Sequence, residues 1–542
     1  MNKIEELKLE KDGLDIKADI ARFAKEGWDC ISEDDLARLK WYGLFLRKPT
    51  PGFFMLRVRI PNGYVPSYQL KALAHIAGHF GNGQIDITTR QQVQLRHLKI
   101  DDVPAVFDLM DSVGLTSIQT GMDNVRNIMG CPVGGLHPKE VLNAFPVIEA
   151  MNEYFLGNRE FSNLPRKFNI AVTGCPDSCI HTETQDLALV PASREENGET
   201  VYGFNLLVGG KIGSGGYRIA SPLDVFVKAD EAVEVSAEVV ALYRDYGYRD
   251  VRTRNRLAFL IEDWGETKFR EMLVRALDRD LSPAGEDLRN DHENLHIGIY
   301  RQKQPSMNYV GMKVPVGRMD HTRMEKLAVL AEKYGNGEVR LSPANSVIVP
   351  NISDKKLGDF LEEPLLKEFD YNPNALIKGL VSCVGKDYCG MATIETKGTA
   401  MEVAKKLEDK LDGIRPITMN WSGCPAGCGN HLVADVGLIG KRARVDGKTV
   451  DAVDVFVGGR SGKYPAPALK ILEDIPCDKL PDVLAQILPY HAREKMHPVK
   501  NYKKKKKPNA ESRPNRSSNA PVNKANADAP SRLHATDPVL KN

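Results

Sequence analysis

The sequence predicts an α+β protein built from a two-fold internal repeat, each half a small α/β module followed by a larger α/β module. Three observations carry that expectation. The stretch GYVPSYQLKALAHIAGHFGNGQIDITTRQQVQL (63–95) aligns without a gap on GRMDHTRMEKLAVLAEKYGNGEVRLSPANSVIV (317–349), at an offset of 254. The turn TGCPDSC (173–179) aligns on SGCPAGC (422–428) at an offset of 249. That second offset also lays LLVGG (206–210) over VFVGG (455–459).

Each small module reads strand, helix, strand. FFMLRVRIP (53–61) and MNYVGMKVP (307–315) carry the first strands. Leu70, Leu73, Ile76 and Ala77, and Met324, Leu327, Leu330 and Ala331, recur at helical spacing on one face. FGNG (80–83) and YGNG (334–337) then stop the helices, and an alternating strand follows each. The charged N-terminal stretch ahead of the first module reads as helical.

At 542 residues, 42% hydrophobic and 27% charged, the composition is that of a globular protein with two to four cores. No apolar run approaches the roughly 20 residues of a membrane span, and the charged start lacks the apolar centre of a secretory signal. A cytoplasmic protein is expected, with no membrane partner. The net charge of +2 conceals an asymmetry: residues 500–542 carry +8, leaving −6 on the rest. That tail, rich in Pro, Asn, Ser and Lys, is expected to be disordered and solubilising, or a tether for an acidic partner. Nothing else in the chain suggests nucleic acid.

Nine cysteines fall mostly in close sets. In the second half Cys383, Cys389, Cys424 and Cys428 make C-x5-C…C-x3-C, two loops each able to supply two thiolates to one centre. On spacing alone an iron–sulfur cluster, a structural zinc and no metal at all remain open. The first half has Cys175 and Cys179 but lacks an obvious second pair, so its turn reads as a relic kept for backbone shape, and Cys131 as a packing residue. The first half is instead rich in cations. Arg57 and Arg90 stand where the second half has Gly311 and Ala344, and Arg59, Arg126, Arg166 and Lys167 lie nearby. Guanidinium forks hold carboxylates and oxyanions in fixed geometry, so an anion pocket is expected there. The loops GGKIGSGG (209–216) and GGRSGK (458–463) match neither a dinucleotide fingerprint nor a P-loop.

The stretches GFFMLRVRIPNG, DITTRQQVQLR, GLTSIQTGMDNVRNI, FSNLPRKFNIAVTGC, GLVSCVGKDYCGMATIETK and NWSGCPAGCGNH resemble the sirohaem-dependent nitrite and sulfite reductases, most closely the ferredoxin-dependent nitrite-reducing branch. The resemblance spans about residues 1–490. It implies a fold of two ferredoxin-like half-domains, each followed by a sirohaem/iron–sulfur-binding domain. The expected divisions are 1–48 (helical extension), 49–115, 116–300, 301–370, 371–497 and a basic tail, 498–542. It implies a [4Fe-4S] cluster on Cys383, Cys389, Cys424 and Cys428, with Cys428 also joining the cluster to sirohaem. Arg59, Arg126 and Lys167 would face the substrate, while Arg57 and Arg90 would hold the carboxylates of sirohaem. The reaction implied is six-electron reduction of nitrite to ammonia, with ferredoxin as donor and a monomeric protein; sulfite is the competing substrate. Relatives that favour sulfite commonly read RKFK where this chain reads RKFN, so neutral Asn169 points to nitrite.

Overall fold

The computed structural model describes residues 2–494 apart from 214, 292 and 412; the basic tail lies outside the described residues. Three helices open the chain: α1 (Lys3–Glu10), α2 (Lys17–Glu26) and α3 (Glu33–Arg38). The side chain of Asn2 accepts the Ile4 and Glu5 amides, and that of Ser32 accepts the Asp35 amide, satisfying N–H groups that the first turns of α1 and α3 leave free.

The first small module comprises β1 (Leu44–Arg47), β2 (Thr50–Val58), β3 (Tyr64–Pro66), α4 (Ser67–His79), β4 (Gln84–Ile87), β5 (Val93–Leu98) and α5 (Val103–Ser112). Its sheet begins at Leu44, inside the stretch expected as a helical extension, because LFLR pairs antiparallel with β2 in a tight hairpin. The first large module holds β6 (Met129–Gly130), α6 (Phe145–Phe155), β7 (Ile170–Val172), β8 (Leu187–Glu196), β9 (Glu199–Val208), β10 (Ser221–Val227), α7 (Ala232–Tyr246), α8 (Leu257–Leu277) and β11 (Glu286–Asp287).

The second small module follows with β12 (Gly298–Arg301), β13 (Met307–Lys313), β14 (Arg318–Asp320), α9 (His321–Tyr334), β15 (Glu338–Ser342), β16 (Ser346–Ser353) and α10 (Asp354–Leu361). The second large module is α11 (Ala375–Lys378), β17 (Leu380–Ser382), α12 (Lys397–Glu408), β18 (Met419–Ser422), β19 (Val436–Val445), β20 (Lys448–Val457), β21 (Leu469–Pro476) and α13 (Leu480–Glu494). Shifting β1 and β3 by 254 residues gives β12 and β14, and shifting β8 and β9 by 249 gives β19 and β20, with identical bounds. The repeat is therefore structural, and the α+β class holds.

The two small modules are laced together. Their sheets run β1-β2-β5-β4-β14 and β12-β13-β16-β15-β3, so each half lends one three-residue strand to the other's edge. Val65 of β3 lies opposite Val339, and Met319 of β14 opposite Ile85. This exchange covers a sheet edge that would otherwise expose unpaired N–H and C=O groups. Helices α4 and α9 pack against each other over the shared core, and all eight apolar residues read from helical spacing are buried. Gly83 (φ +77°) and Gly337 (φ +78°) are left-handed just past the two helices, which explains the repeated GNG.

The large modules each carry a mixed sheet, β10-β9-β8-β7-β6 and β17-β18-β19-β20-β21. In both, the first three strands in sequence are parallel and the next pairings antiparallel. The cysteine loops leave the ends of those short parallel strands. No helix among the described residues is long and apolar enough to cross a membrane.

Candidate functional site

Cys383 directly follows β17, and its amide donates to the Trp421 carbonyl at the end of β18 (3.0 Å). The C-x5-C loop then turns at Gly385 (φ +73°), where a Cβ would meet the Thr396 nitrogen at 2.7 Å. The second turn leaves β18 as Gly423-Cys424-Pro425-Ala426-Gly427-Cys428. Gly427 has φ +70°, and a Cβ on it would meet Ile212 Cγ2 at 2.2 Å. Glycine is thus required for the backbone twist and for close approach of the first half. The Gly423 amide donates to Cys383 Sγ (3.2 Å), and Thr89 Oγ1 donates to the Cys428 carbonyl (2.9 Å), tying the first small module to the second cysteine turn.

Both turns open on a cavity of about 230 Å³. Its walls include all four thiols and, from the other half, Arg57, Arg90, Arg126, Lys167 and Asn169. Arg57 gives Nη1–H to the Thr120 carbonyl (3.0 Å), Arg126 gives its N–H groups to the Met122 and Thr120 carbonyls, and Arg90 reaches Gln185 Oε1 (3.3 Å). None of these three guanidinium groups, nor Lys167, forms an ion pair with a carboxylate among the described residues. Burial, followed by repulsion from Arg47, pushes Arg57 down to about 9. Burial and Arg256 take Arg90 to about 10. Arg126 and Lys167 are driven well below their ordinary values by burial first and by neighbouring arginines second. The arginines remain protonated at neutral pH. The cavity therefore concentrates positive charge that only an anion can offset.

Two further observations fit that conclusion. Arg57 Nε and both amide atoms of Asn169 are buried without a hydrogen-bond partner. Cys383 is pushed up to about 11 by burial, so as a free thiol it stays neutral, while a bound metal would take its thiolate. Unpaired cations facing four thiols suit a carboxylate-bearing macrocycle next to an iron–sulfur cluster.

The predicted residues are not all brought together. Arg59, expected to face substrate, does not line this cavity. It is buried beyond the end of β2, donating Nε–H to Asn152 Oδ1 (2.7 Å) and Nη1–H to the Val125 carbonyl (3.3 Å), and borders a separate cavity. Arg57, expected only to hold a cofactor, sits with Arg126 and Lys167. Arg47 also lines the site and was not anticipated. Its repeat equivalent, Arg301, is also arginine, so the contrast between halves that singled out Arg57 and Arg90 could not reveal it. Cys131 packs in a buried apolar cluster, as expected, and shares it with Cys175 and Cys179, the Cys131 and Cys179 sulfurs lying 3.6 Å apart. A larger cleft of about 540 Å³, bordered by Glu293, Arg415 and Ser461, holds no thiol.

Residues 121–281 match the family model described as nitrite and sulphite reductase 4Fe-4S domain, and residues 46–113 and 300–366 match the nitrite/sulfite reductase ferredoxin-like half domain. The chain is 44% identical over 495 residues to a ferredoxin–nitrite reductase of Synechococcus elongatus, covering 90% of this chain and 96% of that protein. It is 37% identical over 518 residues to an assimilatory ferredoxin-dependent nitrite reductase of Haloferax mediterranei, covering 90% and 88%. Among solved structures, the Mycobacterium tuberculosis NirA protein superposes with a TM-score of 0.85 at 30% identity, over 92% of this chain and 94% of that one.

Proposed function

The chain belongs to the nitrite and sulphite reductase family, and from that premise we propose that it reduces nitrite to ammonia with electrons from reduced ferredoxin, the donor named for its relatives. The observation that carries the reading is the single cavity in which unpaired Arg57, Arg90, Arg126 and Lys167 face Cys383, Cys389, Cys424 and Cys428.

Cys383, Cys389, Cys424 and Cys428 would hold a [4Fe-4S] cluster, with Cys428 shared with sirohaem, and Arg90 with Arg47 would take the sirohaem carboxylates. Bound together, the two groups supply an iron site for nitrite and a route for single electrons. Nitrite, six electrons and eight protons give ammonium and two waters. The chain's own part is charge and protons. Arg57 and Arg126 hold the negative oxygens in place through fixed guanidinium forks, with Arg126 anchored by backbone carbonyls so that it need not reorganise. Lys167 Nζ, whose proton is loosened by burial and neighbouring arginines, can pass that proton to a departing oxygen and regain it from water. Asn169 keeps the site one positive charge lower than a lysine would, which suits a monoanion over a dianion.

The test is turnover of nitrite and of sulfite by anaerobically purified protein, driven by reduced viologen. Preference for nitrite, abolished together with cluster iron in Cys428→Ser, is expected. Preference for sulfite would overturn the substrate assignment, and zinc in place of iron on these four cysteines would overturn the enzyme reading.

A further inference from the structure

The first-half thiols take no part in that reading, yet the repeat arranges them as a second ligand set. Cys131 directly follows β6 as Cys383 directly follows β17, and Cys175 and Cys179 repeat Cys424 and Cys428. Six residues after each leading cysteine stand His137 and Cys389. The first half thus reads C-x5-H…C-x3-C where the second reads C-x5-C…C-x3-C. A duplicated ligand frame has kept three of its sulfurs and changed its fourth member to imidazole.

In space the set closes further. The metal-binding atoms of Cys131, Cys179 and His296 all lie within 4.8 Å of one another, and all three residues are buried. Cys175 is buried in the same cluster, its ligand atom within 4.8 Å of those of His137 and Asp177. His296 Nε2 is buried with no hydrogen-bond partner. Its Nδ1 lies 3.2 Å from the hydroxyl of buried Tyr309; with Nδ1–H donating there, Nε2 keeps a free lone pair, its nearest carboxylate oxygen being Asp177 Oδ2 at 3.9 Å. Ligating histidines are typically held this way, one nitrogen on the metal and the other on an oxygen.

We propose that Cys131, Cys179 and His296, with Cys175 turning in from beside His137 and Asp177 to complete the set, bind one zinc-class divalent cation, in a site separate from the four thiols of the second half. The 3.6 Å between Cys131 and Cys179 sulfurs fits a single-ion centre. Sulfurs at about 2.3 Å from one tetrahedral zinc are about 3.8 Å apart. Thiols on separate irons of a cube stand much farther apart. His137 is a positioning residue instead. Its Nδ1 accepts the Lys139 amide (3.2 Å), so Nε2 carries the proton and faces Cys175 and Asp177 as a donor. Asp177 is occupied in turn by the side-chain amides of Asn290 and Asn294, each at 2.8 Å. The cation would staple the loops after β6 and β7 to the segment entering β12, joining the first large module to the second small one.

The experiment is metal analysis of the purified, iron-loaded enzyme with zinc-edge X-ray absorption. One zinc per chain in addition to the iron, with three sulfurs and one nitrogen around it, is expected. His296→Ala and Cys131→Ser should each lose that zinc while sirohaem absorbance persists, and His137→Ala should retain it. The wild-type spectrum stands even where a variant fails to fold. Absence of any non-iron cation, extra iron with sulfide, or a Cys131–Cys179 disulfide in the native protein would each overturn the proposal. Zinc kept in His296→Ala but lost in His137→Ala would overturn the choice of imidazole.

Discussion

Arg57 reaches the thiol-lined cavity, and Arg59, two residues later on the same chain segment, does not. Strand alternation would put both on one face. Strand β2 ends at Val58, however, and Arg59 forms an isolated bridge to Thr116, its side chain captured by Asn152 and the Val125 carbonyl. The thiol-lined cavity therefore takes one arginine of the pair, and the other is bonded to the first large module.

Arg57→Gln is expected to lower nitrite turnover by roughly 10²- to 10³-fold, the usual effect of removing one preorganised donor to developing charge. Arg59→Gln should leave turnover within a few-fold and lower stability by about 1–3 kcal/mol, since it strands buried acceptors. Viologen-driven rates and melting curves of the two variants separate these outcomes, and a reversed pattern would restore Arg59 to the substrate site.

Asn169→Lys places a second lysine two residues after Lys167, against cations that already repel one another. The sulfite-to-nitrite ratio of kcat/KM should rise by at least about tenfold, because a dianion gains more from the added charge. A fall in both rates with an unchanged ratio would remove Asn169 from specificity and leave it a packing role.

The repeat was legible because periodic burial leaves a pattern: Leu70, Leu73 and Ile76 and their counterparts at Met324, Leu327 and Leu330 mark the same helix face. The exchange of β3 and β14 was not, since three-residue strands carry no period and their partners lie more than 200 positions away in sequence. Arg57 and Arg90 were found through residue type and the asymmetry between halves, and Arg126 and Lys167 were singled out by the family resemblance. Arg47 escaped because Arg301 erased the asymmetry. His137 escaped as the counterpart of Cys389 because the comparison sought cysteine, and His296 because it lies outside the repeat motif, at positive φ ahead of β12.

Gly427→Ala should disable the second cysteine turn. A left-handed backbone at φ +70° costs an alanine on the order of 1–2 kcal/mol, and its methyl would also overlap Ile212. Iron content per chain should fall with turnover. Full iron loading would show that the Cys424–Cys428 loop tolerates a different path.

Asp86 of β4 lies opposite Arg318 of β14, at the exchanged strand, and binds three cations. Arg96 Nη2 is 2.7 Å away, Arg318 Nε 2.8 Å and Lys397 Nζ, at the start of α12, 3.6 Å. Burial alone would raise the carboxyl, but the charges of Arg96, Lys397 and Arg318 overcome it and hold the group well below the usual carboxylate range. Asp86→Asn leaves Arg96 and Lys397 buried without an acidic partner and Arg318 with only Asp387, 3.8 Å away, at a cost on the order of 3–5 kcal/mol. The pH dependence has a definite sign. With its folded value depressed, Asp86 contributes in full above the unfolded value of 3.8 and loses that contribution as pH falls below it. The gap in melting temperature between wild type and Asp86→Asn should thus be constant from neutral pH to about 4 and narrow below. A gap that stays constant into stronger acid, or that is absent at neutral pH, would mean the three cations are held by other groups and that the carboxylate does not join the modules.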